Sequence, residues 1–205
     1  MPAAITFNPN VNYGTIQDNE NNTYKTVTIG SQIWMAENLK VTHFNNGDPI
    51  PKLSTSGENV ILENSSAYTY YDYENGYKDI YGALYNGYVV TDSRGVCPTN
   101  WHIANGGDWE TLFNDNNVVR LKENSSNYWW VNTQSSNTNS TGFTAIPAGI
   151  LTNSSFQYLN YSSDWWSSST NQNSKLMNFY IDVTNSFYKI EDTKEKMFSI
   201  RCIKD

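Results

Sequence analysis

The stretch from residue 95 to residue 112 decides the fold, and it reads GVCPTNWHIANGGDWETL. Pro98 cannot continue a helix or donate to a central strand, so the chain turns there. Residues 101–103 then indicate a short buried strand. The Asn-Gly-Gly sequence at 105–107 breaks that strand, and Asp108 can place its carboxylate over the free N–H groups that open a helix. The stretch therefore predicts a strand-turn-helix unit.

One face of the predicted helix is apolar. Trp109, Leu112 and Phe113 lie at positions i, i+3 and i+4, which is the spacing of residues on one side of a helix. We expect these three side chains to point into the core.

The two cysteines of the chain, Cys97 and Cys202, lie far apart in sequence. Zinc sites use closely spaced pairs, so this spacing does not favour a metal. The two residues are either unrelated buried thiols or a disulfide that fastens the last strand beside the strand-turn-helix unit. Such a long closed loop would stabilise the fold by about 4–5 kcal/mol through lost chain entropy. It would also imply an oxidising location.

The composition points to an aromatic core and excludes some partners. Of 205 residues, 38% are hydrophobic and 15% aromatic, with seven Trp and 15 Tyr. The core is therefore expected to consist of few, large side chains.

The net charge is −7 and no basic cluster occurs, so we expect no nucleic acid partner. No run of about 18 apolar residues occurs, so we expect no membrane insertion, and the N-terminal residues do not have the pattern of a signal peptide.

Hydrophobic patterning predicts an α+β fold of mostly antiparallel short strands, with about two helices and much irregular loop. Residues 24–29 alternate and are β-branched, and a Gly-Ser turn joins them to 32–35 as a hairpin. Further strands are predicted at 142–149, 164–168, 177–181, 187–190 and 198–203. We assign residues 1–12 to an N-terminal arm or linker and residues 13–205 to one domain.

Tyrosines are concentrated at 67–73 and 81–90. They would suit a platform on which sugar rings stack. More often such a cluster is core, with each hydroxyl satisfied at the edge.

Six blocks occur in order along the chain: YKTVTIGSQIWMAENLK at 24–40, YGALYN at 81–86, CPTNWH at 97–102, GFTAIPAG at 142–149, WWSSS at 165–169 and SIRCIKD at 199–205. Together they resemble the Fibrobacter succinogenes major paralogous domain family from about residue 13 to residue 205. The chain differs from the usual family pattern at two places, and both differences are small. Asn100 replaces a residue that is usually Gly, and Ala104-Asn105 replaces a turn that usually contains Pro.

The resemblance implies a C-type-lectin-like fold in surface or secreted proteins of Bacteroidetes-type bacteria. In that fold the N- and C-terminal strands lie together, which suits a bond between Cys97 and Cys202, and an irregular region above the sheet carries binding. Calcium-dependent sugar sites of C-type lectins use Glu-Pro-Asn or Gln-Pro-Asp, and this sequence has neither. We expect no cofactor, no metal ligands and no calcium motif, although calcium itself stays open.

Enzymatic readings have little support in the sequence. His43 and His102 belong to no nucleophile motif. Glu110, Asp164 and Asp182 are scattered carboxylates without the spacing of a glycosidase pair. Lectin-like oxidases use a cysteine pair, but the cysteines here suit a structural bond. We therefore expect no enzyme and no catalytic residues, and we rank a hydrolase or oxidase third.

The segment 153–188 motivates a binding function. It is dominated by Asn, Ser, Tyr, Thr, Asp, Phe and Trp, the mixture of rigid aromatics and small polar groups found in antibody paratopes. It resembles the variable region of lectin-fold proteins that retroelements diversify at Asn codons; the alternative is that the whole chain is Asn-rich because of genome composition. We expect nine residues to face outward and bind ligand: Tyr158, Asn160, Tyr161, Asn171, Asn173, Asn178, Tyr180, Asn185 and Tyr188. Trp165, Trp166, Phe198 and Ile200 are predicted as core.

Two hypotheses follow for function. The first is a non-catalytic recognition domain, extracellular on a bacterial cell surface or a phage tail fibre, that binds a protein or carbohydrate receptor. The runner-up is a structural envelope or fibre module that packs against neighbouring subunits, with residues 1–12 able to mediate a homo-oligomer.

Overall fold

A computed structural model describes residues 3–55, 64–125, 127–130, 136–171 and 175–205 of the chain. This part contains thirteen strands and four α-helices, joined by long irregular segments. The strands are β1 (Gly14–Gln17), β2 (Thr23–Ile29), β3 (Gln32–Met35), β4 (Tyr68–Thr69), β5 (Leu84–Asn86), β6 (Trp101–Ile103), β7 (Ala148–Thr152), β8 (Ser155–Leu159), β9 (Ser162–Thr170), β10 (Leu176–Asp182), β11 (Phe187–Asp192), β12 (Met197–Phe198) and β13 (Cys202–Lys204). The helices are α1 (Lys78–Tyr81), α2 (Gly87–Val90), α3 (Gly106–Asp115) and α4 (Val118–Leu121).

Antiparallel pairing organises these strands into three sheets. The first sheet has the order β1-β2-β3-β13-β6, the second β4-β5-β12-β7-β8, and the third β11-β10-β9. The predicted α+β class with mostly antiparallel short strands is confirmed. Four helices replace the two expected, because α1, α2 and α4 are single turns of four residues that carry no apolar periodicity.

The disulfide joins the first sheet to the strand-turn-helix unit. Cys97 and Cys202 are bonded, with 5.9 Å between their Cα atoms. In the ladder between β13 and β6, Cys202 stands opposite Ile103. The prediction that a disulfide holds the last strand beside residues 101–103 is confirmed.

Helix α3 begins with a capping box. The Asn105 side chain accepts hydrogen bonds from the N–H groups of Gly107 (2.8 Å) and Asp108 (3.2 Å). In return, Oδ2 of Asp108 accepts from the N–H of Asn105 at 2.8 Å. Asn105, and not Asp108 as predicted, therefore satisfies the N–H groups of the second and third helical residues, while the N–H of Gly106 donates to the Ser169 hydroxyl. The predicted apolar face is confirmed, since Trp109, Leu112 and Phe113 are all buried.

Large aromatic side chains fill the core, as the composition predicted. Trp109 stacks on Trp165 with ring centroids 5.2 Å apart and contacts the ring of Trp34 at 4.8 Å. The four residues predicted as core are buried: Trp165, Trp166, Phe198 and Ile200. The tyrosines at 68, 70, 71, 81 and 85 are buried as well, so they belong to the core and not to an exposed stacking platform.

Two predicted strands differ from the structure, and both lie beside Arg201. Residues 142–147 are not a strand, because the carbonyl groups of Phe143 and Thr144 accept hydrogen bonds from the buried Arg201 guanidinium instead of a neighbouring strand. The predicted strand at 198–203 is split into β12 in the second sheet and β13 in the first. Arg201 lies in the gap between them, fully buried.

Residues 3–12 form neither helix nor strand, and they lie against the domain. Phe7 contacts the ring of Tyr13 at 5.4 Å, and the Asn8 amide donates to the carbonyl of Asn139 at 3.0 Å. Ile5 and Val11 also pack on the main core cluster. The boundary near residue 13 stays a prediction, and this segment is in contact with the domain.

Candidate functional site

A cleft opens between the hairpin of β7 and β8 and the third sheet, and we call it the hairpin cleft. Its volume is about 460 Å³. Ile150 and Gln157 line it from the hairpin, and Asn178 and Tyr180 from the sheet. It is a mixed polar and aromatic space of the size that small ligands or side chains of a partner occupy.

Strand alternation explains which residues face the cleft. On β10, Asn178, Tyr180 and Asp182 share one face, while Phe179 and Ile181 point to the opposite side and join the main core cluster. Strand β10 is central, so its neighbours continue the same face.

The flanking strands add three polar or aromatic groups to that face. Tyr180 stands opposite Asp164 on β9 and opposite Tyr188 on β11. Asp192, at the end of β11, stands opposite Leu176 and lines the cleft with Asp164. The floor of the cleft therefore carries carboxylates beside tyrosines.

The carboxylate of Asp164 is buried in this floor. Burial raises the pKa of Asp164 to about 7, and a hydrogen bond of 2.5 Å from the Ser162 hydroxyl opposes the shift. Asp192 and Asp182 also raise the pKa, while Lys196 lowers it. Asp164 is thus a carboxyl group that gains or loses its proton near neutral pH.

Asp192 and Asn178 each leave one buried acceptor without a partner. Lys196 forms an ion pair with Oδ1 of Asp192, while Oδ2 of Asp192 has no hydrogen-bond partner. Oδ1 of Asn178 also has none. Both residues line the hairpin cleft and are almost fully buried, with 5% and 0% of their surface exposed. Unpaired buried polar atoms are uncommon in folded proteins and call for an explanation.

Tyrosines form the rim of the cleft. Tyr158 and Tyr161 have ring centroids 6.0 Å apart and remain 51% and 41% exposed. Tyr180 and Tyr188 are stacked at 4.6 Å. Tyr158 adopts a φ of +63°, a left-handed conformation that is unfavourable for a bulky side chain. Backbone strain of this kind concentrates at functional sites.

The structure brings together five of the residues predicted from the sequence. Tyr158, Tyr161, Asn178 and Tyr180 line the cleft, and Tyr188 stacks on Tyr180 beside it. The prediction that Asn178 faces outward is wrong. Asn178 is fully buried, because it lies on the central strand of the sheet and faces the floor of the cleft.

Three other predicted residues lie away from the cleft. Asn160 is held by backbone hydrogen bonds with Pro147 and Trp130. The Asn171 side chain accepts from the N–H of Lys175, and the Asn185 side chain accepts from Lys122 at 2.6 Å. Asn160 lies in the turn between β8 and β9, Asn171 directly follows β9, and Asn185 lies in the turn between β10 and β11. Asn173 falls outside the described residues.

Sequence reasoning missed Asp192 and Lys196 and did not connect Asp164 or Asp182 to binding. The alternation within 176–182 indicates which residues share a face. The register that sets Asp192 opposite Leu176 has no local signal, so Asp192 and Lys196 were not detectable.

Three further features concern metal binding, membrane insertion and the histidine at position 102. The part of the chain that the structure describes holds no group of three or more His, Cys, Asp or Glu side chains arranged to hold a metal ion. It also holds no helix long and apolar enough to cross a membrane. His102, between Asp205 (2.7 Å) and Asp108 (3.0 Å), is hydrogen-bonded at both ring nitrogens.

The fold and the cleft define a disulfide-fastened α+β domain of antiparallel sheets with a polar-aromatic cleft. The chain belongs to the Fibrobacter succinogenes major domain family, whose model matches residues 27–204, as the motifs predicted. No curated protein and no solved structure matches the chain.

Proposed function

We propose that this protein is a non-catalytic recognition domain that binds its ligand in the hairpin cleft and on the surrounding tyrosine-rich surface. One observation carries the proposal. Tyr158, Tyr161, Asn178 and Tyr180, predicted from the composition of 153–188, converge on one cleft that also contains unpaired buried acceptors. Rigid aromatics beside short polar groups give contact area at low entropic cost. The ligand is a protein or a glycan.

The proposed setting is a bacterial surface or a phage tail fibre, with a C-type-lectin-like fold. The last strand, β13, lies in the same sheet as the N-terminal strands β1 and β2, which supports that fold. The disulfide is compatible with an oxidising, extracellular location. Diversification by a retroelement would act on Asn codons within residues 153–188, and copies of the gene that differ chiefly at the nine predicted binding positions would support it.

The structural-module alternative receives less support. It uses residues 1–12 as an attachment arm, whereas residues 3–12 lie against their own domain through Phe7, Asn8 and Val11. Recognition is therefore the better supported of the two functions.

A glycan and cell-surface-protein array tests the recognition function. The wild type is compared with a Tyr158→Ala/Tyr161→Ala double variant, which removes two exposed rings at the rim. Tyr88→Ala is the matched control, because Tyr88 lies on α2, outside the cleft. We expect ligands of the wild type to lose binding by about tenfold or more in the double variant, since aromatic contacts dominate such interfaces. If the double variant binds these ligands as tightly as the wild type, this function is contradicted. It is also contradicted if no glycan or protein on the array binds the wild type.

A further inference from the structure

The two unpaired atoms in the hairpin cleft are both acceptors. The Nδ2 group of Asn178 donates to the carbonyl oxygen of Trp165 at 3.3 Å, which identifies the remaining amide atom as the oxygen. The reverse orientation would place two oxygens against each other. Asp192 Oδ2 is a carboxylate oxygen and also accepts. A ligand that satisfies both atoms must bring hydrogen-bond donors.

The charges around the cleft favour a positive ligand. Asp164, Asp182 and Asp192 line it, and Lys196 is the cation that lines it with them. Lys196 is already paired with Oδ1 of Asp192. Oδ1 of Asp182 accepts hydrogen bonds from the backbone N–H and the hydroxyl of Thr184, which hold this carboxylate in place. The side chains thus leave an excess of negative charge facing the ligand.

The rim supplies a further attraction for cations. The rings of Tyr158, Tyr161 and Tyr180 line the same cleft. The face of an aromatic ring attracts a cation within about 6 Å of its centroid, and this attraction strengthens when water is excluded. A neutral ligand without donors would have no cation–π attraction to these rings and could not form hydrogen bonds with the two unpaired oxygens.

We propose that the hairpin cleft binds a primary ammonium group of the ligand, through the oxygens of Asn178 and Asp192 and the rings of the rim. This assignment rests on the recognition function proposed above and names the chemistry of its ligand. A lysine side chain of a partner protein and an unacetylated amino sugar both carry that group.

Binding should also depend on pH. Asp164 faces Tyr180 and Asp182 on β10, Asp192 on β11 and Lys196 beyond it, and burial gives it a pKa of about 7. Deprotonation of Asp164 adds a negative charge to the cleft, so affinity for the blocked lysine, whose ammonium group stays protonated throughout, should rise as the pH passes from about 6 to about 8.

Amide NMR titrations of the full chain with matched probe pairs test the ammonium assignment. One pair is blocked lysine and blocked Nε-acetyl-lysine, and the other is glucosamine and N-acetylglucosamine. Within each pair only the charged amine differs, so the two pairs also distinguish a peptide source from a sugar source. We expect at least one ammonium probe to shift the side-chain amide of Asn178 and to bind about tenfold or more tightly than its acetylated partner. Equal binding within both pairs, or no binding by any probe, would overturn the assignment.

Variants separate a ligand contact from a structural role. Asn178→Leu keeps the approximate shape of the side chain and removes the unpaired oxygen, so we expect ammonium binding to fall about tenfold. It also removes the amide donor to the Trp165 carbonyl, so we expect a lower melting temperature, and binding is measured well below that temperature. Asp192→Asn removes one charge and provides a second variant if Asn178→Leu does not fold. Asp115→Asn, on the exposed end of α3, removes the same charge outside the cleft and should leave binding unchanged. If Asp115→Asn loses ammonium binding while Asn178→Leu and Asp192→Asn keep it, the assignment is contradicted.

The array can contradict the ammonium assignment without contradicting the recognition function. Neutral glycans or proteins that require Tyr158 and Tyr161 on the array, without an ammonium preference, would preserve the recognition function and overturn the ammonium assignment.

Discussion

Arg201 organises the interior of this domain through four hydrogen bonds. Its guanidinium donates to Asn38 Oδ1 (2.7 Å) and to the carbonyls of Met35, Phe143 and Thr144. The planar group lies over the ring of Phe143, with 4.5 Å between its central carbon and the ring centroid. Burial lowers the pKa of Arg201 to about 9. A buried charge is tolerated only when its donors are satisfied, as they are here.

Arg201→Lys should destabilise the fold strongly. Lysine keeps the charge but loses the planar fork, so the carbonyls of Phe143 and Thr144 would be left without donors. We expect the free energy of unfolding to fall by about 3–5 kcal/mol, measured by urea denaturation. Arg94→Lys, at the partly exposed pair with Asp92 and Asp48, is the matched control and should change the urea midpoint little, because solvent screens ion pairs at the surface. Similar losses in the two variants would contradict the central role of Arg201.

His102 should make stability depend on pH. Burial alone would lower the pKa of His102, but hydrogen bonds with Asp205 and Asp108 outweigh it and raise the pKa above its usual value. Because the pKa of His102 is higher in the folded state, protonated His102 stabilises the fold fully at pH values below the unfolded pKa of about 6.5. This stabilisation disappears as the pH rises through the folded pKa. Thermal melts of the wild type and His102→Gln should therefore differ most below about pH 6 and converge at higher pH. A difference that grows with pH would rule out this account.

At the scale of single elements, local patterns decided what the sequence could predict. The apolar face of α3 and the hairpin of β2 and β3 follow from the spacing of neighbouring residues, and both are confirmed. The segment 142–147 contains strand-forming residues but is irregular, because Arg201, far away in sequence, binds its carbonyls. The predicted strand at 198–203 fails for a related reason, since the chain changes sheets there.

In the candidate site, too, the sequence could not predict features that depend on residues distant along the chain. Composition alone predicted Tyr158, Tyr161 and Tyr180, because a concentration of Asn, Ser and Tyr is visible in the sequence. It could not indicate that Asn178 is buried, since that depends on the central position of β10 in the third sheet. Asp192 joins the site through the register between β10 and β11, which only the folded chain establishes.

The capping box of α3 gives a prediction at the scale of one helix. Asn105→Ala removes the acceptor of the Gly107 and Asp108 N–H groups and should lower the free energy of unfolding by about 1 kcal/mol, measured by urea denaturation. Asn114→Ala places the same substitution on the exposed face of the same helix. There alanine should be neutral or stabilising by about 0.5 kcal/mol, because it has the higher helix propensity. Equal effects at the two positions would show that the cap contributes nothing.

The whole molecule depends on contacts between residues distant in sequence. The first sheet combines β1, β2 and β3 from the N-terminal region, β6 from the middle and β13 from the end of the chain. The second sheet places β12 between β5 and β7 in the same manner. Such pairings close long loops, whose entropic cost the folded chain must overcome. The disulfide is the one covalent link across this arrangement in the described residues.

Removal of the disulfide should therefore affect the entire fold. Cys97 and Cys202 are 105 residues apart, and a covalent loop of this length restricts the unfolded chain enough to stabilise the folded state by about 4–5 kcal/mol. The Cys97→Ala/Cys202→Ala variant should lose about this amount in urea denaturation. Reduced wild-type protein is the control, since it keeps both side chains and lacks only the bond, and it should show most of the same loss. If reduction leaves the midpoint unchanged, the strand pairing of β13 with β3 and β6, and not the bond, holds the end of the chain in place.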